Sequence, residues 1–439
     1  MILLTVLEIA PVSLFSITPF ILMLACIAIF PLFFPHIWDK NRNKLIVAGI
    51  LSVPIIIYLI MTGNSTKLID TMVFDYLPFL ILLGALFIIT GGIYIDGDIE
   101  AKPSINTLYL AIGAVLASFI GTTGAAMLLI RPIISTNKER KFKVHTILFF
   151  IAIIANCGGL MTPLGDPPLF VLYLRGTPFF WFFNLAPAWL FVNTILLVIY
   201  FIMDGYYHKK ESVQNISFDK SNQSPVRIQG KINFVWLVGV VCAVAFVNEQ
   251  YLPFIGKCES LKFLREAVII FCAMASLQST TKDVRASNNF SWTPIVEVAY
   301  LFLGIFITMV PCLIYLQLNA HTLGVTSPMQ FYFASGFLSS FLDNTPTAVT
   351  FHSLALGLQT ATPVAGKLVA GIPVALLKAI ALGSVMFGSM TYIGNGPNFM
   401  VKSIAEENGI QMPHFFKYIY GFSLIYLLPV FALVYLFFV

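Results

Sequence analysis

Two aspartates stand where carboxylates are rare: Asp166 in GGLMTPLGDPPLF (158–170) and Asp343 in SSFLDNTPTAV (339–349), both inside long apolar stretches. An acidic group at membrane depth costs about 3 kcal/mol on insertion scales, which makes each of them a functional candidate. Neutral oxygen-bearing side chains cluster with them. Thr162 lies beside the first, Asn344 and Thr345 beside the second, Thr122 and Thr123 in GTTG (121–124), and Thr391 and Asn395 in FGSMTYIGNGPNF (387–399). Hydroxyl and amide oxygens are hard donors of the kind an alkali cation prefers. Gly165, Pro167, Pro168, Gly394, Gly396 and Pro397 stop helices and free backbone carbonyls that can join them. A desolvated carboxylate that can hold either a proton or a cation is the minimum equipment for cation/proton antiport. Two plainer readings compete: threonines in apolar helices often bond back to the preceding turn, and an aspartate can simply cap a helix end.

These residues need elements to position them, and the composition says which kind. The 439 residues are 58% hydrophobic and 10% charged, with a mean hydropathy of +0.89, which no water-soluble surface can accommodate. The expected fold is an all-α polytopic membrane protein. Hydropathy and helix breakers predict ten spans, at 14–34, 45–62, 77–95, 145–172, 186–203, 233–248, 264–279, 297–319, 369–402 and 415–438. Two apolar pieces remain, 104–134 and 327–358, each broken in the middle by GTTG or DNTPT. Backbone exposed by such a break must be buried in protein or line a wet cavity, so both pieces are expected as re-entrant hairpins.

With this assignment the loops at 35–44, 96–103, 131–144, 204–232, 280–296 and 402–417 fall on one side and hold 18 of the 25 basic residues. That side is expected to be cytoplasmic, with both termini outside. The net charge of +5 is thereby explained by topology, and a nucleic-acid partner is not expected. The six cysteines are dispersed without metal-ligand spacing, and no nucleophile–base constellation marks an enzyme. The polar stretch 204–232 reads as a solvated cytoplasmic connector between residues 1–203 and 233–439.

The two parts repeat each other. GGLMTPLGDPPLF aligns without a gap to FGSMTYIGNGPNF; ASFIGTTGAAM (117–127) aligns to SSFLDNTPTAV, and a third, weaker pair is LGALFIIT (83–90) against LGIFIT (303–308), all in the same order. Each copy holds five spans and a hairpin, and an odd number inverts the second copy in the membrane. Inverted repeats with discontinuous helices are the design of secondary transporters, whose sites lie near the midplane. The copies are unequal: Asp166 stands opposite Asn395, and Gly121 opposite Asp343. If each hairpin tip closes over the broken span of its own half, Asp166 serves a site with Gly121–Gly124 and Asp343 a second one with Thr391–Asn395, each a candidate sodium position.

TPLGDPPLF (162–170), GTTGAAMLLIRP (121–132), SSFLDNTPT (339–347) and TYIGNGPNFMVKSIAE (391–406) together resemble the NhaD-type sodium/proton antiporters and their citrate-transporter-like relatives in the ion transporter superfamily. The resemblance runs over nearly the whole chain. It implies ten spans plus two hairpins, a homodimer in a prokaryotic inner membrane, and an elevator-like displacement giving alternating access. It implies sodium (or lithium) and proton as transported ions, with no resident cofactor. The superfamily also contains sodium-coupled di- and tricarboxylate symporters and arsenite permeases. A small organic anion is therefore the alternative cargo, although the carboxylate symporters carry Ser-Asn-Thr at their tips, where this chain has GTTG and DNTPT.

Overall fold

The computed structural model describes residues 10–257, 261–363 and 366–439, so the first nine positions of the expected first repeat lie outside the described residues. The described residues form a bundle of helices with two two-stranded ribbons. The first half contributes α1 (Thr18–Phe33), α2 (Asn41–Met61), α3 (Leu77–Thr90), α4 (Pro103–Ile120), α5 (Thr122–Thr136), α6 (Val144–Ile153), α7 (Pro167–Leu174) and α8 (Ala186–His208). The second contributes α9 (Asn233–Phe246), α10 (Leu264–Ser279), α11 (Thr293–Asn319), α12 (Pro328–Phe341), α13 (Asn344–Ala361), α14 (Val374–Phe387), α15 (Gly396–Glu407) and α16 (Leu428–Phe438). Short helical turns connect several of them.

Among the described residues, 8 helical segments are long and apolar enough to cross a membrane, and Asn233–Phe246 and Val374–Met390 are shorter apolar helices. One of the 8 is α4, which the sequence assigns to a hairpin. Length alone cannot separate a spanning helix from a hairpin arm; what the structure shows is that α4 pairs with α5. Asn106 and Asn137 exchange amide hydrogen bonds of 2.9 and 3.1 Å at the open end of α4 and α5, and Tyr109 donates to the Leu129 carbonyl (3.0 Å). The arms therefore run antiparallel from a tip at Gly121. Its φ of 82° lies in the region that favours glycine. In the second hairpin Phe331 of α12 meets Phe351 of α13, ring centroids 5.8 Å apart, at the position equivalent to Tyr109 and Leu129. A capping box of Ser327 and Gln330 opens α12.

Apolar side chains gain little from leaving lipid, so the helices must be held by close packing. The residues at the contacts are accordingly small. A Cβ on Gly383 would lie 2.5 Å from the Tyr332 carbonyl, which is how α12 and α14 come into close contact. Around these approaches the largest side chains, including Phe149, Phe170, Phe306, Phe331 and Phe431, are fully buried in one cluster that joins both halves.

The stretch 204–232 is exposed over most of its length yet docked onto the first half. Helix α8 runs on to His208, past the expected boundary, and strand β2 (Ser224–Gln229) pairs antiparallel with β1 (Tyr94–Asp98) of the first half. Asp219 accepts a hydrogen bond from the Ala101 amide (3.0 Å), and burial holds its carboxyl above the usual carboxylate range. Backbone pairing explains why this segment is ordered although its composition is polar. All six residues of β2 present their side chains to the outside, so composition reported only the exposed face.

Candidate cation site where the broken helices meet

Both broken spans are built by the same local device. After α6 the chain forms a turn at Cys157–Met161, extends, and restarts as α7; after α14 it turns at Gly388–Met390, extends, and restarts as α15. Thr162 donates its hydroxyl to the Ser118 carbonyl of the first hairpin, and Thr391 donates to the Ser340 carbonyl of the second. Each threonine oxygen accepts from the amide two residues on, Leu164 or Ile393, at 3.2 Å. The repeated threonines thus clamp each break to its own hairpin. Gly165 and Gly394 are needed because the chain crosses itself: a Cβ there would lie 2.0 Å from the Gly159 oxygen or 2.5 Å from the Gly388 oxygen.

The two breaks converge on Asp166, which is 1% exposed. Thr122 donates to its Oδ1 (2.6 Å), Asn344 donates through Nδ2 to its Oδ2 (2.5 Å), and Asn395 approaches Oδ1 at 3.2 Å. Thr122 is the first residue of α5, Asn344 the first of α13, Asn395 the residue capping α15, and Asp166 itself the residue preceding α7. Four helix N-termini therefore surround one carboxylate, and each carries a partial positive charge of about half an elementary unit that offsets a negative one placed among them. Among the described residues no Lys, Arg or His forms an ion pair with Asp166 or Asp343. A carboxylate buried with neutral partners alone has room in its charge balance for one cation or one proton.

Not every sequence candidate reaches this centre. Asp343 caps α13, accepting the Thr345 amide at 3.0 Å, and makes no hydrogen bond to Thr391 or Asn395. Its neighbour Asn344 makes the contact to Asp166 across the two halves. The grouping of one carboxylate with each half is thus replaced by a single carboxylate served by both. Thr345 is buried in the first turn of α13, whereas Thr123 is half-buried and turns to a cavity of about 570 Å³, counted with its open mouth. That cavity is walled by Leu86 and Phe87 of α3, Ile295 and Val298 of α11, and Met400 of α15.

Two further asparagines complete the arrangement. Asn156 donates to the Asn398 Oδ1 (2.7 Å) and accepts from Asn395 (3.2 Å); Asn398 in turn donates to the carbonyls of Gly388 (2.8 Å) and Thr391 (2.9 Å). Both are fully buried. They fix the rotamer of Asn395 and hold the two breaks together. The signal available in the sequence was an amide inside an otherwise apolar run, FFIAIIANCGGL. At the base of the first hairpin lies a second polar knot: Asp204 is shared by Arg140 (2.7 Å) and His145 (2.8 Å), with Asn106 at 3.3 Å.

A polytopic helical bundle with two hairpins, two broken helices and an uncompensated carboxylate at their crossing defines a membrane transporter of the secondary type. The family is shown by the sequence itself. Residues 9–439 match the family described as "Putative citrate transport", and the chain belongs to that family. No curated protein matches it.

Proposed function

We propose that the protein exchanges sodium for protons, using Asp166 as the shared acceptor. The observation that carries this reading is the shell around that carboxylate: three neutral donors, members drawn from both halves, and no Lys, Arg or His paired with it among the described residues. A carboxylate accepts hydrogen bonds only, so Asn344 must present its amide nitrogen to it. The same side chain holds a buried Oδ1 with no hydrogen-bond partner. Rotating that amide, or the Thr122 hydroxyl, turns a donor into an oxygen ligand. One shell can therefore serve the cation-loaded and the proton-loaded forms, which is the requirement of exchange through a common site.

Sodium-coupled transport of a di- or tricarboxylate is the second reading. It is favoured by the family description and by the four helix N-termini, which would suit an anionic group as well as they suit Asp166. Against it, an anion would meet the Asp166 charge, which no lysine or arginine among the described residues pairs with. The discriminating assay is reconstitution in proteoliposomes with an imposed pH gradient. Sodium pulses without any organic anion are expected to move protons. Movement seen only after citrate or succinate is added would replace the first reading by the second.

A further inference from the structure

Beside the second hairpin, the residues equivalent to those walling the cavity at Thr123 are largely buried. Counted from the shared Leu83-Gly84 and Leu303-Gly304, its wall residues Leu86 and Phe87 correspond to Phe306 and Ile307, and Met400 corresponds to Val171 in the broken-span alignment. All three counterparts are buried. Counted back from the same Leu-Gly pair, the wall residue Val298 corresponds to the buried Pro78 and Ile295 to Asp75, and at this last position the copies differ in chemistry as well as in packing.

Asp75 lies in the helical turn Thr71–Tyr76 that leads into α3, and its Oδ2 pairs with Nη2 of Arg175 at 2.9 Å. Both side chains are mostly buried, at 13% and 14% exposure. Arg175 follows the last residue of α7, and its Nη1 donates to Ser353 of α13 (3.1 Å). Helices α7 and α13 run side by side: Asp166 meets Asn344 at one end and Arg175 meets Ser353 at the other. The pair therefore ties the two helices that leave the site to the α3 wall. Lys67 lies close enough to Asp75, Asp70 and Arg175 to feel their charges.

The surrounding cluster is also incompletely satisfied. Arg175 Nε, His352 Nδ1 and Thr177 Oγ1 are buried without hydrogen-bond partners, each at a cost of about 1–3 kcal/mol if permanent. Such unpaired atoms offer alternative partners to the ion pair within the same buried cluster.

We infer that the Asp75–Arg175 pair is the lock that keeps the second-hairpin face closed while the cavity at Thr123 is open. Breaking it lets the equivalent cavity form beside α12 and α13. The inference rests on alternating access but not on the identity of the cargo.

Site-directed thiol labelling in proteoliposomes tests it, with the native cysteines replaced and a single cysteine at Val171 or Met400. With the pair intact, Val171→Cys should resist a membrane-impermeant thiol reagent and Met400→Cys should react. Asp75→Asn and Arg175→Gln should each raise labelling at position 171 by roughly fivefold to tenfold and lower it at 400. Two single variants keep the test open should one fail to fold. The reversed pair, Asp75→Arg with Arg175→Asp, should restore protection. Unchanged labelling at 171 in the folded single variants overturns the lock, as does a reversed pair no better protected than either. Opposite responses of the two positions to sodium in the unmodified pair report alternation itself. A protein that alternates while its lock variants behave normally therefore refutes only this inference.

Discussion

The two broken-helix units start from nearly the same residues and end with different duties. Each is clamped by a threonine to a hairpin serine carbonyl, Thr162 to Ser118 and Thr391 to Ser340. Each crosses itself at a glycine, Gly165 or Gly394. At the next residue they part: Asp166 supplies the charge and Asn395 a neutral amide. The hairpins show the reverse exchange, Thr122 donating from the first tip and Asn344 from the second, while Asp343 stays behind as a helix cap. Repetition sets the scaffold, and the substitutions within it direct hydrogen bonds from both halves to Asp166.

Breaking the shared scaffold should have the largest effect. Gly165→Ala places a Cβ 2.0 Å from the Gly159 oxygen, with backbone on both sides and nothing able to yield, so the protein should fail to accumulate as a monodisperse species in detergent. Gly396→Ala, with nothing within 4 Å, should be recovered normally. Next comes the charge itself. Asp166→Asn should fold yet lose sodium-triggered proton movement by about a hundredfold or more, as expected when a hydrogen-bonded buried charge is removed from its partners.

Asn344→Ala removes one hydrogen bond to that charge, about 1.5–3 kcal/mol, and should weaken apparent sodium affinity roughly tenfold or more in the same assay with exchange still measurable. The smallest effect belongs to the second carboxylate. Asp343→Ala should lower thermal stability by about 1 kcal/mol through loss of the α13 cap, and Asp343→Asn by a few tenths, with exchange retained in both. Exchange abolished by Asp343→Asn would show that this residue carries charge in the cycle and would erase the contrast between the units.

How much of this was legible beforehand follows from what a repeat can report. Alignment of the two motifs located Gly165, Gly394, Thr162 and Thr391, because those positions solve the same backbone problem twice. It gave the hairpin tips for the same reason. What alignment cannot say is which residues touch across the halves: equivalence under the repeat is not proximity, and Asn344 reaches Asp166 because the two units cross. Asn156 and Asn398 were missed since their counterparts are Val385 and Leu169, so a search for repeated polar residues passes over them. The ordered segment after His208 was hidden by its composition, since its order comes from backbone pairing with Tyr94–Asp98.

The central claim, that one carboxylate serves both halves, is tested most directly by proton release on sodium binding. In weakly buffered detergent solution, sodium added to the purified protein should displace protons from the wild type and from Asp343→Asn, and none from Asp166→Asn. Release that survives Asp166→Asn and disappears in Asp343→Asn would contradict the account.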